Sequence, residues 1–188
     1  MTRIIAGFAG SRELKVPKSG TRPTSDRVRE AIFSALEARD VIDGARVLDL
    51  FAGSGALALE ALSRGAVSVT MVEKNPQAGA LLKANADLIR GAGKLDALST
   101  RVVIASVAAY LGNPPSELFD IVFIDPPYEL SEAEVSHALE LLVPHLAEGA
   151  EVVLERSTRT GLPELPAGLE LDKSKAYGET TIHWISAV

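Results

Sequence analysis

Asp125-Pro126-Pro127-Tyr128 closes the apolar run FDIVFID (119–125) with a carboxylate, two residues lacking a backbone N–H, and an aromatic ring. Such a turn suits a flat, amino-bearing substrate. An exocyclic amine on an aromatic ring is a weak nucleophile because its lone pair is delocalised into the ring. Asp125 and the Pro126 carbonyl can each accept a hydrogen bond from the NH2 group, drawing the nitrogen towards tetrahedral geometry and aiming its lone pair. Tyr128 offers a face on which a base can stack. Pro126 and Pro127 stiffen the turn, so that the acceptors are placed in advance.

A second constellation lies upstream, in DLFAGSGALALEAL (49–62). Gly53-Ser54-Gly55 falls where a strand should turn into a helix, and glycines there allow a tight turn and a close approach to a ligand. Extended to Ala58, the pattern Gly-x-Gly-x-x-Ala also satisfies a dinucleotide fingerprint, with Glu73 placed 18 residues beyond Gly55. Asp49, four residues before Gly53, is a poor neighbour for a diphosphate. It suits the ammonium and sulfonium of S-adenosylmethionine (SAM), which carries no phosphate. Glu73 would then accept from both ribose hydroxyls, since a carboxylate can take two donors. Nicotinamide-dinucleotide binding, and with it an oxidoreductase, is the rival reading and leaves Asp125–Tyr128 unexplained.

These residues need a scaffold that brings them together, and the hydrophobic pattern predicts one. RVLDLF (46–51), SVTMVE (68–73), RVVIA (101–105), FDIVFID (119–125) and AEVVLE (150–155) read as strands. Helical stretches at 55–64, 76–92, 106–111 and 131–146 separate them. Buried Val/Ile/Leu strands alternating with helices imply a parallel sheet covered on both faces, with ligands at the carboxyl edge of the strands. LELDKSKAYGETTIHWISAV (169–188) reads as two strands turning at Tyr177-Gly178, an antiparallel edge. At the other end, RIIA (3–6) and ELKV (13–16) read as a hairpin. A helix is predicted from Asp26, capped by Thr24, Ser25 or Asp26, with Val28, Ala31, Ile32, Ala35 and Leu36 on its apolar face.

The chain has 188 residues, no cysteine and a formal charge of −6. Disulfides and thiolate metal sites are excluded; no apolar run approaches a membrane span, and the first residues lack the pattern of a signal peptide. A cytoplasmic protein is expected, with no membrane and no metal. The charge is uneven. Seven basic and three acidic side chains leave residues 1–30 at +4 and the remainder at −10. A basic arm on an acidic body points to a local patch for an anionic partner.

The motifs RIIAG, RPTSDRVREAIF (22–33), DLFAGSGALALEALSRGA (49–66), VEK (72–74) and DPPY (125–128) together resemble the RsmD family. These are class I SAM-dependent methyltransferases acting on the N2 amine of one guanine in 16S ribosomal RNA. The resemblance spans essentially the whole chain, and its most specific part is RPTSDRVRE. It implies a doubly wound α/β fold with a mostly parallel seven-stranded, Rossmann-like sheet, an N-terminal β-hairpin extension (1–22) and one catalytic core (23–188). It implies catalytic roles for Asp125, Pro126, Pro127 and Tyr128, and SAM contacts for Asp49, Phe51, Gly53, Gly55, Glu73, Lys74 and Ser106. Ser106 stands where the family commonly has an acidic residue beside the adenine. Arg12, Lys15, Lys18, Arg22, Thr24 and Arg27 would form an RNA-facing rim, for a 30S subunit assembled or in assembly; a monomer is the expected state. DPPY alone leaves room for DNA adenine N6 or a protein glutamine as the methyl acceptor, and the Ser106 departure for an inert RNA-binding assembly factor.

Other features carry less. Arg29 and Arg39 are expected to be solvated. His137 and His145 are expected on the surface or in packing, and Trp184 against the sheet. SEAEVSHALE (131–140) is expected to begin a helix with exposed carboxylates, which favour the helix dipole. Tyr110 either lines or covers the adenine pocket.

Overall fold

The computed structural model describes residues 2–17 and 25–188. The alternation in the sequence resolves into β3 (Arg46–Asp49), α2 (Ala56–Ser63), β4 (Ser68–Glu73), α3 (Pro76–Gly93), β5 (Thr100–Ile104), α4 (Val107–Leu111), β6 (Phe119–Ile124), α5 (Glu132–Leu142) and β7 (Leu146–Ser157). β8 (Leu169–Tyr177) and β9 (Thr180–Ala187) follow as a hairpin turning at Gly178, whose φ of +65° favours glycine. The sheet has seven strands in the order β5-β4-β3-β6-β7-β9-β8; β3 to β7 are parallel, and β9 runs antiparallel to both neighbours. This is the doubly wound α/β fold.

The chain leaves β3 towards β4 and β5 on one side, then returns to β6 and β7 on the other. The strand order therefore reverses between β3 and β6, and the crevice outside their carboxyl ends is where such sheets bind ligands. Two apolar clusters fill the faces. One joins Phe33, Leu36, Leu59, Leu62, Met71, Phe123 and Trp184; the other joins Leu48, Val72, Val122, Leu139, Leu142 and Leu154.

The N-terminal region departs from expectation in two ways. The hairpin shrinks to β1 (Thr2–Arg3) paired with β2 (Glu13–Leu14), two residues each, rather than 3–6 with 13–16. Ile4 N still donates across the hairpin, to the Arg12 carbonyl at 2.9 Å, but the donors just beyond it are taken elsewhere. Glu60, on α2 and fully buried, accepts from Ile5 N at 2.7 Å and Ala6 N at 3.0 Å, and Ser63 Oγ accepts from Ala9 N at 2.9 Å. Gly7 is required at this junction: a Cβ there would lie 1.8 Å from the Ser63 carbonyl oxygen.

The second departure concerns α1 (Asp26–Ala38), which starts where predicted with Ser25 as N-cap, its side chain accepting from Val28 N at 3.3 Å. Its buried face is Val28, Arg29, Ile32, Phe33 and Leu36, with Ala35 packed at its margin and Ala31 only half-buried. Arg29 is not solvated. It is wholly buried and donates through Nη2 to the Arg3 carbonyl at 2.8 Å and to Asp26 Oδ1 at 2.7 Å, anchoring the start of the chain on α1. Arg39 is not a free surface arginine either: it pairs with Glu151 and lies over the Trp184 ring, 4.9 Å from the centroid. Trp184 packs on the sheet as expected, nearly inaccessible.

Candidate active site

Four parallel strands end in an acidic residue or lead directly into one: Asp49 ends β3, Glu73 ends β4, Asp125 follows β6, and Glu155 lies near the end of β7. Parallel register carries all of them to one edge. There a cavity of about 790 Å3 opens, within the roughly 300–1,000 Å3 of small-molecule sites. Phe51, Gly53, Glu73, Lys74 and Ser106 line it on the β3–β5 side, and Asp125, Pro126, Pro127 and Tyr128 on the β6 side. The two constellations read from the sequence thus share one cavity.

The loop after β3 is built by backbone bonds. Leu50 N donates to the Phe123 carbonyl at 3.1 Å, Ala52 N to the Val72 carbonyl at 3.0 Å, and Gly55 N to the Ala52 carbonyl at 2.7 Å. Gly53 and Gly55 have φ of +54° and +82°. Their surroundings differ. A Cβ on Gly55 would lie 2.6 Å from Leu82 Cδ1, so that glycine serves close packing on α3, whereas a Cβ on Gly53 would meet nothing within 4 Å. Gly53 faces open cavity.

Glu73 is held by this loop. Its Oε2 accepts from Gly53 N at 3.1 Å and its Oε1 from Asn75 N at 2.8 Å, which leaves further acceptor directions on each oxygen. Ser106 caps α4, its Oγ accepting from Ala109 N at 3.1 Å, so its hydroxyl hydrogen remains available. Tyr110 is absent from the cavity wall; its ring lies 6.1 Å from that of His145, which bonds the Leu111 carbonyl at 3.0 Å.

Asp49 and Gly55 lie behind the wall rather than on it. Asp49 is 1% exposed, is held by the backbone N–H groups of Ala58 and Phe51, and has an Oδ1 without a partner among the described residues. Burial pushes its carboxyl up from the ordinary 3.8 to about 7, against the lowering effect of those two N–H groups. The sign follows. A folded-state value above the unfolded one means that the native chain binds the extra proton between about pH 4 and 7. This contribution to stability is full at low pH and is lost as pH rises through 7. Asp49→Asn is expected to remove this slope, so that the variant gains on wild type in urea unfolding as pH is raised from 5 to 8. Equal slopes would show that the buried carboxylate costs nothing.

Tyr128 is 65% exposed at the cavity mouth, an uncovered ring face, while Pro126 is buried; Leu130 N closes the turn on the Pro127 carbonyl at 3.0 Å. Opposite stands α5, whose first turn is a capping box between Ser131 and Glu134. Backbone and hydroxyl bonds from Ser131 hold the Glu134 carboxyl below its ordinary value, with a smaller pull from Lys74. Glu134, His137 and Ala138 supply a wall of the cavity that the sequence reading did not assign. Glu155 was missed as well, although its place at the end of an apolar run is the signal that marked Asp49, Glu73 and Asp125. Glu73, Asp125, Glu129, Glu134 and Glu155 line the cavity with Lys74 as its one lysine or arginine among the described residues. That balance suits a cationic ligand and disfavours a diphosphate.

Of the basic residues assigned to a rim, Arg12, Lys15 and Arg27 are exposed. Lys18, Arg22 and Thr24 lie outside the described residues. The Lys15 backbone is tied to the site by Asn85 on α3, which accepts from Lys15 N at 2.9 Å and donates to the Lys15 carbonyl and to the Ser54 carbonyl, both at 2.8 Å. Among the described residues no cluster of three or more His, Asp or Glu could hold a metal ion, and no helix is long and apolar enough to cross a membrane.

The family model described as Conserved hypothetical protein 95, that of the RsmD family, matches residues 2–186. The chain belongs to this family. Ribosomal RNA small subunit methyltransferase D of Escherichia coli K12, similar to this RsmD-family chain, is 39% identical over 180 residues, 94% of this chain and 85% of the relative. Among solved structures, "Putative methyltransferase yhhF" of Escherichia coli superposes with a TM-score of 0.86 at 34% identity, covering 99% of this chain and 97% of the other. A hypothetical protein of Thermus thermophilus, TTHA0928, gives 0.81 at 35% identity, with 98% of both chains covered.

Proposed function

We propose that this RsmD-family chain is a cytoplasmic SAM-dependent methyltransferase that modifies the exocyclic N2 amine of a guanine in 16S ribosomal RNA, presented by a 30S subunit assembled or in assembly. One observation carries the reading: the glycine loop with Glu73 and the Asp125–Tyr128 turn line the same carboxylate-rich cavity. The name of the Escherichia coli relative supplies the substrate class.

The cavity fits SAM in its chemistry. Gly53 leaves room for close approach, Glu73 offers acceptors for ribose hydroxyls, and the Asp49 Oδ1, without a partner among the described residues, is a buried polar atom behind the loop. When bound, SAM supplies an electrophilic methyl group on a sulfonium and leaves as S-adenosylhomocysteine. The chain's own residues do the rest. Asp125 and the Pro126 carbonyl accept from the N2 amine and localise its lone pair, which forms the N–C bond as the C–S pair departs with sulfur. The surplus N2 proton passes to Asp125 or to water, since the alkylated nitrogen is acidic. Tyr128 stacks on the guanine and fixes its plane. Arg12, Lys15, Lys18, Arg22, Thr24 and Arg27 meet phosphates of the RNA, with the monomer as the working unit.

The reading is tested by offering labelled SAM to 30S subunits lacking the modification, protein-free 16S rRNA, duplex DNA and a release-factor protein. Label is expected in 30S subunits, recovered as N2-methylguanosine. Label confined to DNA or protein would overturn the RNA assignment while keeping amine methylation.

A further inference from the structure

Four residues, Asp125, Pro126, Tyr128 and Glu155, line both the large cavity and a cleft of about 20 Å3 beside it. That cleft holds one small polar group rather than a ring, so a base must enter from the large cavity and present its edge to this shared wall. Three of the four are already accounted for. Glu155 is not.

Its placement is fixed by register. β6 and β7 are parallel, with Phe123 opposite Val153 and Ile124 opposite Leu154. Phe123 and Val153 point into the same apolar cluster. The paired ladder ends at Ile124 and Leu154; Asp125 and Glu155 are the next residues on these adjacent segments, and both line the cleft and the cavity. Both carboxylates also have interaction partners elsewhere in the chain. A carboxylate presents about four acceptor directions, so a group that already has a partner can accept from a base as well.

We infer that Glu155 selects guanine by accepting the N1–H hydrogen bond of the base whose N2 amine Asp125 holds. The inference rests on the proposed guanine methylation. On its Watson–Crick edge guanine places two donors side by side, N1–H and N2–H2, and paired acceptor-only groups at adjacent strand ends match them. Adenine presents an unprotonated ring nitrogen at the equivalent place, as does 2,6-diaminopurine, whose 2-amine is otherwise that of guanine. Against such a nitrogen the Glu155 carboxylate sets lone pair to lone pair and loses its donor. A site built to accept from a donor rejects analogues lacking it by large factors, here through repulsion between the carboxylate and the ring-nitrogen lone pair. Ser157, also on the cleft, accepts from Arg159 N at 3.3 Å, which leaves its hydroxyl hydrogen free for the guanine O6.

The test uses 30S subunits reconstituted with guanine or 2,6-diaminopurine at the methylated position, and compares kcat/KM for wild type, Glu155→Gln and Glu155→Asp. Wild type is expected to prefer guanine at least about 100-fold. In Glu155→Gln the amide can donate to N1, so the preference should collapse to within about tenfold through loss on guanine and gain on diaminopurine. Glu155→Asp retracts the carboxylate and should lower the guanine rate while keeping the preference. A role in folding alone would depress both substrates equally, so it cannot mimic the exchange. An unchanged preference in Glu155→Gln, or a wild type that does not discriminate, overturns the assignment. A wild type that methylates no guanine in 30S subunits overturns the proposed activity, and this inference with it.

Discussion

Asp125→Ala is expected to lower kcat by two to three orders of magnitude while SAM affinity, followed by calorimetry, stays within about threefold. The effect is this large because the side chain acts where charge and geometry change in the reaction: removing one such preorganised hydrogen-bonding group costs about 10²–10³ in rate. Ground-state binding is expected to rely on other groups, Gly53, Glu73 and Ser106, which line the same cavity on the β3–β5 side. Asp125→Asn discriminates further. It keeps an acceptor oxygen but loses the charge, and should retain about a tenth of the wild-type rate if the carboxylate works by accepting hydrogen bonds rather than as a strong base. Turnover of Asp125→Ala within about threefold of wild type would remove the turn from the mechanism.

Glu60→Ala should be the most destabilising single substitution outside the apolar core, costing about 3–5 kcal/mol in urea unfolding. Glu60 has no exposure, binds two backbone N–H groups of the N-terminal segment, and accepts from Arg64 Nε at 2.8 Å. Truncation would leave those donors unpaired in the interior. Glu60→Gln keeps the acceptor for one N–H and should cost less than half as much. A loss below about 1 kcal/mol for the alanine variant would mean that the N-terminal segment is not fastened through this carboxylate.

The sheet and the turns at its carboxyl edge were legible because their signals are local. Val/Ile/Leu runs broken by glycine or proline mark strand ends, and parallel strands collect those ends at one edge. Glu73, Gly53 and Asp125–Tyr128 could therefore be placed in one site without coordinates. What was not legible depends on long-range partners. Arg29 is buried because Arg3 and Asp26 satisfy part of its guanidinium, although its spacing of four from Phe33 put it on the inner stripe. The hairpin shortened because a glutamate more than fifty residues away competes for its donors. Asp49 was expected to touch the ligand; its position at a strand end did not reveal how deeply it is buried, behind the residues that line the cavity. Glu134 and His137 line the cavity only because α5 crosses its mouth.

Among the described residues the outer strand β8 pairs with β9 alone and exposes its middle, Glu170 to Ala176, to water. Open edges invite other chains to add strands. Here the ladder slips between Leu171 and Lys173, and Asp172, Lys173 and Lys175 crowd the rim, with Lys173 and Lys175 leaning over Trp184 and Tyr177. An incoming strand would have to match a kinked register and desolvate three charges. The edge is thus a guard against strand addition, and with it against the amyloid-like stacking that an open edge would seed.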